Sequence, residues 1–263
     1  MTEPANPAST PRAMPLFYSD PQLVTQTAHG DWRLKPGDHA FAARAIAVPI
    51  VAGEFAGVLR NYPILFAVAG ESINPIALLG FDETNLHVTD GRWEEGAYVP
   101  AYVRCYPFSF VRHGEQYVLG MDAACDRFVR GGEEGIPLFQ DGKASPGMQQ
   151  TMQLCDMFRV DMDSTWEFSQ ALRQKNLLID RRANATLPNG RKIGVDGFQI
   201  VDASRLSQLD DATVLDWHRK GYLALVHFHL ASLDRFEQLL QRRAARDQAE
   251  EFRKPMGESS GKA

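Results

Sequence analysis

His227-Phe228-His229 is the tightest pairing in this chain of groups able to do metal or proton chemistry. Residues 222–230 read as an apolar strand, and successive strand side chains alternate, so the two imidazoles fall on one face, where they can begin a metal site. No third ligand follows at a suitable spacing, and Leu223 and Leu225 share that face. The same pattern therefore describes a partly buried pair held by ordinary hydrogen bonds, and no metal is assigned. Arg104 and Arg112 stand among aromatic residues, where a guanidinium can clamp a carboxylate or phosphate through its forked donors, or stack on Tyr102, Tyr106 or Phe110. Trp93, just past the Asp90-Gly91 turn, serves as a packing anchor or a stacking platform.

Other chemistry-bearing residues have simpler uses. Asp161-x-Asp163 and Asp210-Asp211 can bind a cation, but both fall at expected helix starts, where carboxylates serve free amide donors. Glu133-Glu134 in a glycine-rich loop reads as solvated charge. Cys105 lies beside Arg104, yet its neighbours are apolar and no partner histidine is specified. No serine elbow, phosphate loop, dinucleotide fingerprint or HExxH zinc motif occurs. The candidate ligand-binding set is therefore Trp93, Tyr102, Arg104, Arg112, His227 and His229. The ligand class is a small amino acid or peptide, with no cofactor and no catalytic residue assigned.

These groups must be positioned by a chain of 263 residues, long enough for a substantial core without staples. Hydrophobic residues make up 44%, charged residues 23%, and the net charge is −5, so there is no basic footprint for nucleic acid. Three widely spaced cysteines without a CxxC pair suit buried thiols in a reducing compartment. The N-terminal stretch lacks the pattern of a secretory signal, and no apolar run reaches bilayer length. The expectation is a cytoplasmic protein, not integral to membrane, with surface association by unconventional export left open.

Residues 1–13 and 248–263 read as disordered tails. Between them the expectation is a single compact α+β domain, with a strand-rich N-terminal half, a mostly antiparallel sheet and a helix-rich C-terminal half. Pro49 confines 45–50 to an edge or strand end, whereas the continuous apolar run 64–69 suits a strand buried on both faces. In the dense stretch Tyr98–Asp122, Val99, Tyr102, Val103 and Tyr106 have helical spacing up to Pro107, and a hairpin follows around His113-Gly114-Glu115. Residues 131–147 form the best internal loop and a possible boundary. Ser145-Pro146 and Ser164–Glu167 suggest two consecutive helices, with one long helix as the alternative. A ribbon over 185–202 turns at Pro188-Asn189-Gly190. Asp210 or Asp211 starts a helix closed by Gly221, and Ser232 caps a terminal helix with Leu233, Phe236, Leu239 and Leu240 as its apolar stripe.

Asn61-Tyr62-Pro63-Ile64, Asn85-Leu86, Gly91-Arg92-Trp93, Tyr98-Val99-Pro100-Ala101-Tyr102-Val103-Arg104 and Tyr106-Pro107-Phe108 together resemble the bacterial SapC family. Asp196-Gly197-Phe198, Gly221-Tyr222-Leu223 and Ala231-Ser232-Leu233 are similar to its C-terminal half, so the resemblance covers roughly 14–240. It implies an association with surface-layer production or the cell envelope; the peptide-uptake permease of the same name is a different protein. The family's neighbours, which include tryptophan-halogenase-like, cupin-like and outer-membrane receptor proteins, imply a shared uptake or modification pathway. The resulting expectation is a non-catalytic accessory or binding protein with envelope or uptake proteins as partners. Alternatives are an enzyme acting on an amino acid, peptide or envelope precursor, and a transport-linked interaction module.

Overall fold

The computed structural model describes residues 14–70 and 72–253 and shows an α+β protein with antiparallel sheets and a helix-rich C-terminal part. Its chain falls into two compact units. The first comprises residues 14–36 and Tyr106–Met152, so the glycine-rich segment 131–147 lies inside it. Here Phe108–His113 and Gln116–Asp122 form the expected hairpin, turning at Gly114 (φ 62°), and Pro21–Leu23 pairs with the second strand. The buried Asp122 carboxylate accepts from the Ser19 and Asp20 amides at 3.0 and 2.7 Å and from the Tyr106 hydroxyl at 2.8 Å. It thereby ties the N-terminal segment to the hairpin.

The second unit comprises Gly37–Cys105 and residues from Gln153 onward. Its five-stranded sheet contains β1 (Ala47–Pro49), β2 (Ile64–Ala69), β3 (Ser72–Leu78), β4 (Leu178–Thr186) and β5 (Lys192–Val201), in the order β4-β5-β2-β3-β1. Pro49 indeed occupies an edge strand, where its missing amide costs no ladder bond. The β2–β3 hairpin turns at Gly70 and the β4–β5 hairpin around Pro188-Asn189-Gly190, where Asn189 Oδ1 accepts from the Arg191 amide at 3.0 Å. The two hairpins join through only two residue pairs, Phe198 with Ala67 and Gln199 with Phe66.

Five helices carry or border the candidate residues: α1 (Ala101–Cys105), α2 (Pro146–Gln174), α3 (Asp211–Lys220), α4 (Tyr222–Ser232) and α5 (Arg235–Arg253). Helix α2 is one continuous element, capped by Ser145 Oγ on the Met148 amide at 3.2 Å. No glycine or proline interrupts 148–174, and Thr165 bonds back to the Asp161 carbonyl at 2.6 Å, so the expected second start at Ser164 has no use. Asp161 and Asp163 are consequently mid-helix residues. Asp210 does cap α3, its Oδ1 accepting from the Thr213 amide at 2.9 Å, and Gly221 (φ 76°) ends that helix.

The expected strand over 222–230 is helix α4 instead. Its continuous apolar run carries no decisive period, whereas Leu223, Ala224, Leu225 and Ala231 favour a helix and only Val226 is β-branched. Ser232 ends α4 rather than capping the next helix. The stripe of α5 packs as expected: Leu239 is buried with Leu65, Leu78, Phe81, Leu86, Ile193 and Phe198, and Leu233, Phe236 and Leu240 lie against that cluster. Burial of each such side chain contributes about 1.5 to 3 kcal/mol. Helix α5 runs to Arg253, so 248–253 is helical where a tail was expected. The tail expected over 1–13 and the rest of the C-terminal one lie outside the described residues.

Candidate functional site

Residues scattered over the first hundred converge in the second unit. Pro100 precedes α1, and its carbonyl accepts from the Val103 and Arg104 amides, fixing the turn that presents Tyr98. The Tyr98 amide donates to Asn61 Oδ1 at 3.0 Å, while the Tyr62 hydroxyl donates to the Tyr98 carbonyl at 2.5 Å and accepts from Trp93 Nε1 at 3.0 Å. Trp93 is therefore a buried anchor with its polar edge satisfied.

At the centre stands Glu54, a buried carboxylate that sequence reasoning passed over. Its Oε1 accepts from the Val51 amide at 3.0 Å, and its Oε2 accepts from the Ala101 amide at 2.8 Å and the Tyr98 hydroxyl at 3.0 Å. Burial pushes the Glu54 carboxyl above its ordinary range, with these donors opposing the shift. The Tyr98 phenol is pushed up to about 12 by burial and by the neighbouring carboxylate. Arg104 Nη2 donates to the Tyr98 hydroxyl at 3.2 Å, Nε donates to the Val99 carbonyl at 3.0 Å, and the guanidinium lies 5.7 Å from the Tyr98 ring centroid. The aromatic that Arg104 serves is thus Tyr98, not Tyr102. Tyr102 packs against Phe158, their ring centroids 6.0 Å apart, and burial pushes its phenol up to about 12.

A second polar chain adjoins the first through Tyr62, whose ring meets that of His87 edge-on at 4.6 Å. His87 Nδ1 lies 2.8 Å from Glu94 Oε2, and Arg242 of α5 clamps the same carboxylate through two bonds of 2.8 and 2.9 Å. Burial lowers the His87 pKa against the opposing Glu94 carboxylate that Nδ1 faces, and its buried Nε2 has no partner among the described residues. Arg242 and His87 hold the Glu94 carboxyl below its usual range against an opposing burial effect. Glu94 and Arg242 are far apart in the chain, and nothing in local spacing marks them as partners. Glu54, a lone acid in the apolar run Val51–Val58, did carry a readable signal.

The remaining candidates do not join this cluster. Arg112 belongs to the first unit, where its Nε donates to the Gly114 carbonyl of its own hairpin at 3.2 Å. His227 and His229 sit two residues apart on a helix, roughly 200° around its axis, so they do not share a face. His227 is exposed. His229 is buried, its Nδ1 donating to the Ile64 carbonyl at 2.8 Å and its Nε2 accepting from the Val201 amide at 3.0 Å. Burial pushes it down to about 4, which keeps it neutral. The strand reading that set both imidazoles on one face is therefore overturned, and among the described residues no group of three or more His, Cys, Asp or Glu is placed to hold a metal ion.

Asn61, Tyr62, Trp93 and Tyr98–Arg104, the motif residues singled out in the sequence, thus form one framework, and a family model named SapC matches residues 24–239. The chain belongs to the SapC family. Compared with curated proteins and with solved structures, this SapC-family chain has no match in either set. Four open clefts of about 260 to 380 Å³ lie on its second unit, and none of them is lined by Glu54, Tyr62, His87, Trp93 or Tyr98. In the SapC motif cluster the polar groups mostly engage one another, an arrangement suited to holding α1 and the short hairpin that pairs Val88 with Trp93 in place. No described helix is long and apolar enough to cross a membrane.

Proposed function

We propose that this chain is a non-catalytic accessory or binding protein acting in a cell-envelope, surface-layer or nutrient-uptake pathway, from the cytoplasm. The observation that carries this reading is on α2. Met157 and Val160, three residues apart and so on one face of the helix, are 71 and 50% exposed, whereas Met162 and Trp166 lie on the opposite face. Grouped large apolar side chains left in water favour contact with another protein. The alternative of an enzyme using Arg104 and the histidine pair needs those groups around one pocket, and the separate settings of Arg104, His227 and His229 weigh against it.

Affinity capture from the native cells tests the proposal by comparing the natural chain with a Met157→Asp/Val160→Asp variant. Envelope or uptake proteins should be recovered with the first and lost with the second, while circular dichroism shows both folded. Identical recoveries from the two chains would refute the α2 surface as the contact.

A further inference from the structure

Two adjoining clefts of about 340 Å³ each lie beside the C-terminal half of α2 and share Ala171, Gln174, Lys220 and Tyr222, making one trough between α2 and the α3–α4 pair. Each is within the size range of small-ligand sites, about 300 to 1,000 Å³. The exposed Trp166 indole stands on the α2 side. Tyr222, in ring contact with Phe168 at 5.3 Å and Trp217 at 5.9 Å, is held in place by the core beneath it. Aromatic faces therefore line the trough without closing it into an apolar pocket.

The polar lining narrows the chemistry of an occupant. Glu167 and Asp216 bring two negative charges, Lys175 and Lys220 two positive ones. Lys220 Nζ is already bound to Asp216 Oδ2 at 2.8 Å, and Lys175 Nζ to Thr213 Oγ1 at 2.6 Å and Asp210 Oδ2 at 3.5 Å. An anionic ligand would have to compete with those pairings, and a cationic one would meet Lys220, whose ammonium lies 5.9 Å from the Tyr222 ring centroid. Gln170 and Gln174 add carboxamides, each both donor and acceptor. Flat aromatic faces beside a charge-balanced set of planar donors and acceptors complement a ring with apolar C–H faces and a rim of hydroxyls.

We infer that the α2–α3–α4 trough is a binding site for an uncharged saccharide, one ring stacked on Trp166 and its hydroxyls bonded to Gln170, Gln174 and Asp216. The inference goes beyond the protein-contact reading and does not depend on it, since Met157 and Val160 lie outside the trough lining. Binding by stacking and open-site hydrogen bonds is of millimolar strength, and loss of the indole weakens it about tenfold.

The full chain, titrated with maltotriose, cellotriose and triacetylchitotriose, tests this by saturation-transfer NMR and tryptophan fluorescence. At least one should give a saturable signal that weakens about tenfold in Trp166→Ala, recovers in Trp166→Tyr, weakens in Gln174→Ala and is unchanged in Met157→Ala. The inference is overturned if none of the three gives a signal at millimolar concentration, or if Trp166→Ala binds like the natural chain. Binding of glucuronic acid or glucosamine in place of the neutral sugars overturns it as well.

Discussion

His229 makes stability depend on pH in a direction and size set by its surroundings. The ring bridges two strands, donating to the Ile64 carbonyl and accepting from the Val201 amide, and both bonds require the neutral Nδ1–H form. Burial depresses its folded pKa to about 4 from an ordinary value near 6.5. A base depressed in this way contributes stability that is fully present above the unfolded pKa and is lost as the pH falls toward the folded one. Linkage with these two values gives a loss of about 2 kcal/mol between pH 7 and pH 5, and about 3 kcal/mol by pH 4. The comparison chain is His229→Gln, whose amide can offer an N–H to Ile64 and an oxygen to Val201 without titrating. Urea unfolding of both chains across this range isolates the effect, because contributions from other buried groups such as His87 are common to both. The natural chain should lose about 2 kcal/mol more than His229→Gln between pH 7 and pH 5. Parallel curves would refute a buried neutral His229.

Three further substitutions test the framework. A Cβ at Gly80 would stand 1.8 Å from the Thr84 carbonyl oxygen, so Gly80→Ala must displace backbone and should cost about 3 kcal/mol or more, seen as a lowered urea midpoint. Gly221→Ala meets no atom within 4 Å but places alanine at φ 76°, and should cost about 1 kcal/mol through conformation alone, with the denaturant slope unchanged. Tyr98→Phe removes the hydroxyl that donates to Glu54 and should cost about 1 to 3 kcal/mol near neutral pH. Because burial already raises the folded Glu54 pKa, that carboxyl favours the fold more when protonated and less as pH rises through its titration. In Tyr98→Phe, carbon-detected NMR should show that titration moved further upward.

Much of this architecture was legible where local chemistry decides it: the edge position of Pro49, the hairpins at Gly114 and Pro188-Asn189-Gly190, the Asp210 cap and the Gly221 stop. The stretch 222–230 was misread because a buried helix and a buried strand can share one unbroken apolar run, and the error carried both histidines onto a common face. For the site, Trp93 and Arg104 stand in the candidate set as separate residues, while Tyr98 enters only through the family motif. Their joining depends on Glu54 and Tyr62 meeting Tyr98 across more than thirty residues, and on Arg242 reaching Glu94 across 148. Such pairings are set by the finished packing of α5 and the sheet, not by any periodicity in the chain.

The narrow join between the β2–β3 and β4–β5 hairpins bears on the order of assembly. Ser232 Oγ accepts from the Ile64 amide at 2.8 Å while His229 holds the Ile64 carbonyl and the Val201 amide, so one turn of α4 rivets a seam that only two ladder pairs close. The rivet and the strand it secures are separated by 168 residues. On a ribosome the β2–β3 hairpin therefore emerges long before β5 and α4 exist, and its inner edge stays open while the intervening residues are made. Segments made well after the β2–β3 hairpin are the ones that complete the sheet, which ties the maturation of this fold to β5 and α4.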